Sequence, residues 1–281
     1  MTKLVVLAVA MQAVAPPTLA AEFSMQYQML DDGSSFPDRI VLTGKIEPGD
    51  NEKFLKLLRQ NPIHSMQAAK LELNSPGGDV AEALKIASVV NEAAYGVTVP
   101  KLCGSACFFI YVTGWFRYVD EKGRLGVHRP FMDQSTFAGY SASEAKAKMQ
   151  AGSNVVKAFL DEHSVPKVIQ EVMFNAASNE VVWLSNAQID LIGSAPAHIE
   201  ELELARCGDP NAALKEIDPE DPEAAEKMSW LLSNFPKCLR TVYMPDRIAF
   251  IDKLAPRSKE WDAFMAKWKE SNKAAAKPSA K

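Results

Sequence analysis

The sequence predicts a mixed α/β protein, a mainly parallel sheet covered by helices, with a small helical extension at its C-terminal end. Three observations carry that expectation. Short β-rich runs near residues 40–46, 70–74 and 97–99 are separated by stretches of helical spacing, and strands that alternate with amphipathic helices pair in parallel because a parallel neighbour needs a crossover. Beyond Ser105, within the stretch from Lys101 to Gly114, begins an apolar segment too long and too evenly hydrophobic for a surface element, which reads as a buried helix. Beyond about Leu204 the chain turns acidic and proline-broken, then supplies apolar anchors for a small subdomain at Trp230-Leu-Leu232, Phe235, Leu239 and Val242, and a helical spacing at Trp261, Phe264, Met265 and Trp268 that suits packing on the main domain or on a partner.

Residues 1–20 hold one lysine in a short leader, an apolar run from Leu4 to Ala10, the pair Pro16-Pro17 and then Thr18-Leu-Ala-Ala21. A charged start, a short apolar middle and small residues at the cut define a secretory signal peptide, and the apolar run is too short to span a bilayer. No cysteine stands at the cut to take a lipid, and no later stretch is long and apolar enough to cross a membrane. The expectation is therefore a periplasmic or secreted protein, soluble once the leader is removed. The remainder divides into a main domain over 22–203, a helical extension over 204–270 and a low-complexity, disordered tail over 271–281. Hydrophobic residues make up 47% of the chain, enough for a substantial core. Lys and Arg are scattered among Asp and Glu with a net charge of -4, which excludes the basic stripe that a nucleic-acid backbone requires.

Within the main domain, Ile40-Val-Leu-Thr-Gly-Lys-Ile46 is β-rich, and Gly49-Asp-Asn-Glu is a turn and cap leading into Phe54-Leu-Lys-Leu-Leu58 at helical spacing. Lys70-Leu-Glu-Leu-Asn74 alternates as a strand does and ends at Ser75-Pro-Gly-Gly78, after which Val80, Ala83, Leu84, Ala87 and Val90 share one helical face. Paired glycines between a strand and a helix let backbone N–H groups approach a ligand with no side chain in the way, so the N–H groups here can hold an oxyanion; the plain alternative is an ordinary Pro-Gly turn.

Val97-Thr-Val-Pro then feeds Lys101-Leu-Cys-Gly-Ser105-Ala-Cys107, a small-residue turn from strand into the buried helix. There the Ser105 hydroxyl lies beside the first free N–H groups of the helix and is placed like a nucleophile; the alternative is a serine that merely caps the helix. Next come Arg117-Tyr-Val119, a turn at Asp120-Glu-Lys-Gly123, and Arg124-Leu-Gly-Val-His128-Arg-Pro130. A histidine that ends a strand just before a proline projects from a fixed backbone, which makes His128 a candidate base for Ser105.

Four cysteines, Cys103, Cys107, Cys207 and Cys238, allow three pairings, and sequence alone does not choose among them. The expected set is Cys207 with Cys238, closing a loop across the acidic segment, and Cys103 with Cys107, bracing the turn that holds Ser105. None of the four histidines lies near the Cys-x-x-x-Cys pair, so no metal site and no cofactor are expected.

Asn74-Ser-Pro-Gly-Gly78, Gly104-Ser-Ala106 and Val127-His-Arg-Pro130, in this order, resemble the Clp protease proteolytic subunit and the wider crotonase-like superfamily. The resemblance continues through Val181-Val-Trp-Leu-Ser-Asn-Ala-Gln-Ile-Asp-Leu-Ile-Gly193 and covers roughly residues 38–200. It implies a spiral of strand-strand-helix units and a serine peptidase with Ser105 as nucleophile, His128 as general base, and Gly77, Gly78 and Ala106 around the oxyanion. The Ser-then-His order argues against an α/β-hydrolase, where the acid comes between them. The family's third residue, an acid, lies just before the aromatic that corresponds to Trp183; here Val181 and Val182 stand there, and the nearest acid is Glu180. Membrane-associated relatives use a serine-lysine dyad, which brings Lys146 and Lys148 into view, but Ser141-Ala-Ser-Glu-Ala-Lys-Ala-Lys148 reads as a capped, solvated helix face.

Export would separate the chain from the family's cytosolic ATPase, so no such partner is expected, and substrates would be peptides or unfolded protein segments. The same separation sets aside the acyl-coenzyme A chemistry of the crotonase branch. The helices over 142–159 and 166–175 are where relatives make subunit contacts, which leaves room for a homo-oligomer. Two other readings compete: a catalytically inactive crotonase-fold binding or assembly module of the cell envelope, and a thiol-disulfide function for Cys103 and Cys107.

Overall fold

The structure, a computed structural model, describes residues 20–132, 134–218 and 220–273. The leader expected at 1–20 lies outside these residues except for Ala20, and so does 274–281 of the expected tail.

A hairpin opens the described chain, β1 (Glu22–Met29) antiparallel to β2 (Ser35–Thr43). Helices α1 (Asp50–Gln60) and α2 (Pro62–Gln67) lead to β3 (Lys70–Asn74), and α3 (Val80–Glu92) leads to β4 (Gly96–Val99) and β5 (Leu102–Gly104). The short α4 (Cys107–Val112) is followed by β6 (Arg117–Val119) and β7 (Arg124–Val127), then by α5 (Ala142–Glu162), α6 (Lys167–Asn175), β8 (Val182–Trp183) and α7 (Asn186–Ile192). The rest is helical: α8 (Ala197–Cys207), α9 (Pro210–Lys215), α10 (Ala224–Leu254) and α11 (Lys259–Lys273). The last of these runs three residues into the segment expected as tail.

The larger sheet has the order β1-β2-β3-β4-β6 and is parallel from β2 onward, while β5, β7 and β8 form a smaller sheet in which only β8 is antiparallel. The chain visits both sheets in each turn of a spiral. Ser75, just past β3, bridges to Cys103 of β5 before α3 begins; β4 hands over to β5 before α4; β6 hands over to β7 before α5. This is the strand-strand-helix repeat that the resemblance implies, with the helical C-terminal extension that the sequence predicts.

Local chemistry accounts for the pieces. In β3 the alternation buries Leu71 and Leu73 completely and leaves Lys70 exposed. Asp79 caps α3 by accepting the Glu82 N–H at 2.7 Å. The buried Glu82 carboxylate accepts N–H groups from Gly49 at 3.0 Å and Asn51 at 2.8 Å, which ties the start of α1 to α3. All six residues of α4 are buried, and burying each large side chain contributes about 1.5–3 kcal/mol. The same core holds Arg117, whose guanidinium reaches the carbonyls of Gly114, Ile192 and His163; burial pushes its pKa down to about 10.

The C-terminal extension is part of that core at one end and stands away from it at the other. Trp261, Ile251 and Met265 are buried against the main domain. Trp230 and Leu232, read from sequence as anchors of a small subdomain, are each 66% exposed. Their half of α10 is tied to the end of α8 by the disulfide Cys207–Cys238. Arg247 is the fastening. It is 3% exposed, donates to the carbonyls of Ala93 (3.1 Å) and Ala94 just past the last turn of α3, and lies over the Tyr95 ring. Arg247→Ala leaves two buried carbonyls unpaired and is expected to lower stability by about 2–4 kcal/mol, read as a shift in urea midpoint; an unchanged midpoint would mean that the extension is held by its apolar contacts alone.

Candidate functional site

The site is built where the two sheets meet. β5 ends at Gly104, whose N–H donates to the Ser75 carbonyl at 3.0 Å; Ser105 donates its own N–H to the Gly126 carbonyl at 3.0 Å, and its carbonyl accepts from Phe108 at the start of α4. The turn between strand and helix is tight enough that Ser105 has φ 55, the left-handed region, which costs a non-glycine residue about 1–2 kcal/mol and must be held by its surroundings. This conformation carries the side chain out of the core, and Ser105 is half-buried between two buried neighbours.

His128 follows β7 and meets it. Its Nε2 lies 2.6 Å from Ser105 Oγ, and its Nδ1 lies 2.9 Å from the Arg129 carbonyl oxygen. A carbonyl can only accept, so Nδ1 carries the proton and the lone pair of Nε2 faces the serine hydroxyl. Arg129 precedes Pro130, which restricts its backbone and fixes the direction of that carbonyl. The pair is therefore arranged for proton transfer from Ser105 Oγ to His128 Nε2.

The glycine loop closes over the same turn. Ile46 donates its N–H to the Gly77 carbonyl at 2.9 Å and accepts from the Asp79 N–H at 2.9 Å. A Cβ on Gly77 would lie 2.4 Å from the Gly104 oxygen, 2.6 Å from Ser105 Cβ and 2.7 Å from the Ala106 nitrogen, so the loop rests directly on the turn. Of the three backbone donors expected from sequence, Gly77 is committed elsewhere, because its N–H goes to Ser75 Oγ at 3.1 Å. Those of Gly78 and Ala106 have no acceptor among the described residues. Around them, Cys103 and Cys107 form the expected disulfide, with both residues fully buried.

Other expected residues are not brought here. Glu180 is exposed in the turn before β8, and among the described residues no carboxylate bonds the His128 ring. The partner of Nδ1 among the described residues is instead the Arg129 backbone carbonyl. Lys148 turns outward on α5 to the Tyr140 hydroxyl at 2.9 Å, and Lys146 is exposed on the same helix. Lys148→Ala is expected to leave the reactivity of Ser105 unchanged and stability within about 0.5 kcal/mol; a slowed reaction in that variant would reinstate the lysine as base. Trp183 lies across the glycines next to the pair: its ring stands 3.5 Å from where a Gly104 Cβ would be and 2.7 Å from that of Gly126, with Arg124 stacked 4.1 Å from the ring centroid.

Sequence reasoning missed two contributors, the Ser75 hydroxyl and the Arg129 carbonyl. The first had a signal, a serine two residues before a glycine that can accept that residue's N–H. The second had none, since every residue has a carbonyl.

Fold and site together define an α/β protein with a serine-histidine pair at a strand-to-helix turn, beside a glycine loop, where the Gly78 and Ala106 N–H groups have no acceptor among the described residues. No family model and no curated protein matches the chain. Among solved structures, ClpP1 from Listeria monocytogenes is similar over 54% of this chain and 84% of that chain, at 16% identity and TM-score 0.40. A point mutant of the same Listeria protein is similar over the same shares and at the same identity, with TM-score 0.38.

Proposed function

We propose that this chain is an exported serine peptidase that cleaves peptides or unfolded protein segments through an acyl-enzyme on Ser105. The observation that carries the reading is the pair of contacts that the His128 ring makes. With Nδ1–H held by the Arg129 carbonyl, Nε2 is left as an acceptor 2.6 Å from Ser105 Oγ. In the first step Ser105 Oγ attacks the substrate carbonyl while its proton passes to Nε2, and the new oxyanion is met by the Gly78 and Ala106 N–H groups. The imidazolium then gives its proton to the leaving amine, the acyl-enzyme remains, and water repeats the sequence with His128 again as base. Each of these steps uses groups of the chain itself. Export is supported by the apolar leader and by two disulfides in one chain; no helix among the described residues is long and apolar enough to cross a membrane. An exported chain has no access to ATP, so unfolding of substrates by an ATPase is not part of the reading.

The test is intact-mass analysis of the oxidised protein with a fluorophosphonate, beside Ser105→Ala. One adduct on the parent and none on the variant is the required outcome. A second reading is favoured by one observation, the carbonyl that stands where a catalytic carboxylate would: a binding or assembly module that has lost catalysis. It requires no adduct on the parent and a partner that binds Ser105→Ala as tightly as the parent.

A further inference from the structure

The two disulfides do different work. Cys207 and Cys238 are separated by 31 residues, Cys103 and Cys107 by 4. A cross-link limits the unfolded chain more the longer the loop it closes, so the short one restrains little of the unfolded ensemble. What it encloses is Gly104, Ser105 and Ala106: a strand end, the serine with φ 55, and an N–H group without an acceptor among the described residues.

The restraints on this turn are unequal. On the strand side, Gly104 and Ser105 are held by hydrogen bonds to the Ser75 and Gly126 carbonyls. On the helix side, the Phe108 and Phe109 N–H groups bond the Ser105 and Ala106 carbonyls at 3.0 and 3.2 Å, but the Ala106 N–H has no acceptor among the described residues and α4 is only six residues long, a marginal helix by itself. A serine relaxes readily from the left-handed to the right-handed region, and that rotation would swing Oγ away from His128 and re-aim the Ala106 N–H. The covalent link from Cys107 back to Cys103 spans this side of the turn. Both cysteines are 0% exposed, so once formed the bond is shielded from thiols in solution.

We infer that the Cys103–Cys107 disulfide positions Ser105 and Ala106 for reaction, so that the reduced chain folds with an inert site and becomes reactive only when this bond forms. The inference rests on the peptidase reading for its activity and on the geometry of the turn for everything else. Its chemistry is thiol-disulfide exchange. In the reduced chain the turn is relaxed and the cysteines can be reached: one cysteine thiolate attacks an external disulfide such as oxidised glutathione, the second attacks the mixed disulfide, and two protons and two electrons leave the cysteines as two molecules of free thiol form. A chain with this property is silent in a reducing compartment and switched on by export to an oxidising one.

The experiment compares the parent, Ser105→Ala, Cys103→Ala with Cys107→Ala, and Cys207→Ala with Cys238→Ala, by two readouts: fluorophosphonate labelling rate and the ¹⁵N chemical shifts of the His128 ring. Losing the short disulfide should leave circular dichroism and cooperative unfolding in place, slow labelling by about 100-fold or more, and move the His128 shifts to those of Ser105→Ala. Losing the long one should lower stability and leave both readouts alone. Parent-like labelling in the variant without the short disulfide overturns the inference. If the parent itself does not label, the peptidase reading fails. The ring shifts then decide separately: parent-like values without the short disulfide overturn the positioning role, and Ser105→Ala-like values uphold it. If that variant does not fold, the reduced parent is oxidised with oxidised glutathione instead. Labelling and the serine-dependent His128 shifts must then appear together with the loss of about 2 Da, two hydrogens, from the peptide that carries Cys103 and Cys107, and their presence before that loss overturns the inference.

Discussion

Ser105→Ala is expected to abolish fluorophosphonate labelling and all peptide and ester hydrolysis while changing stability by no more than about 1 kcal/mol, the worth of one partly exposed hydrogen bond. The separation of the two effects follows from the site. Ser105 makes its structural contributions through its backbone, N–H to Gly126 and carbonyl to Phe108, and only its hydroxyl meets His128. His128→Ala should keep a detectable adduct but form it about 10²–10⁴ times more slowly, the usual contribution of a positioned general base. The parent should also react more slowly than an enzyme with a full triad. A carbonyl fixes the tautomer of His128 as a carboxylate would, but it brings no full negative charge to the imidazolium that forms during attack. Equal labelling of the parent and His128→Ala would remove the histidine from the mechanism.

Much of this site can be read from the chain because its parts are local. A Gly-Gly strand end, a serine between small residues ahead of an apolar helix and a histidine before Arg-Pro are each set by a few neighbouring residues, and the spiral brings them together because each ends a strand on the same side. The alternation of Leu71 and Leu73 and the evenly apolar α4 mark core elements for the same reason. What is not legible depends on contacts between distant segments. The strand β1 escapes a reading by pattern although Phe23 and Met25 alternate with polar residues, because it is an edge strand whose apolar side chains are only half-buried; the Phe23 ring stacks on Phe54 at 4.7 Å, on a helix far along the chain. Glu180 is placed by resemblance, and no pattern in the sequence shows that a backbone carbonyl occupies the far side of the His128 ring. The exposure of Trp230 and Leu232 depends on where α10 leaves the core, which composition does not encode.

Gly78→Ala is expected to cost about 2–6 kcal/mol and to remove labelling even at temperatures where the variant is folded. Two effects combine. With φ 148, Gly78 has a backbone that side-chain-bearing residues rarely adopt, and forcing one into it costs about 1–3 kcal/mol. A Cβ there would also stand 2.0 Å from the Ile46 carbonyl oxygen, and such overpacking typically adds another 1–3 kcal/mol or so. Ile46 cannot simply retreat, because it is fully buried and holds the loop through both its N–H and its carbonyl. The loop must move instead, and with it the Gly78 N–H that the proposed mechanism uses as an oxyanion donor; losing one such donor alone slows acyl transfer about 10²–10³-fold. Gly49→Ala is the control. Gly49 has φ 99, yet nothing lies within 4 Å of where its Cβ would be, so it carries the backbone cost only, about 1–2 kcal/mol, and should label like the parent. Thermal melts and labelling rates of the two variants side by side separate strain from collision. If Gly78→Ala melted and labelled like Gly49→Ala, the loop would be free to move and the Gly78 N–H could not be the oxyanion donor.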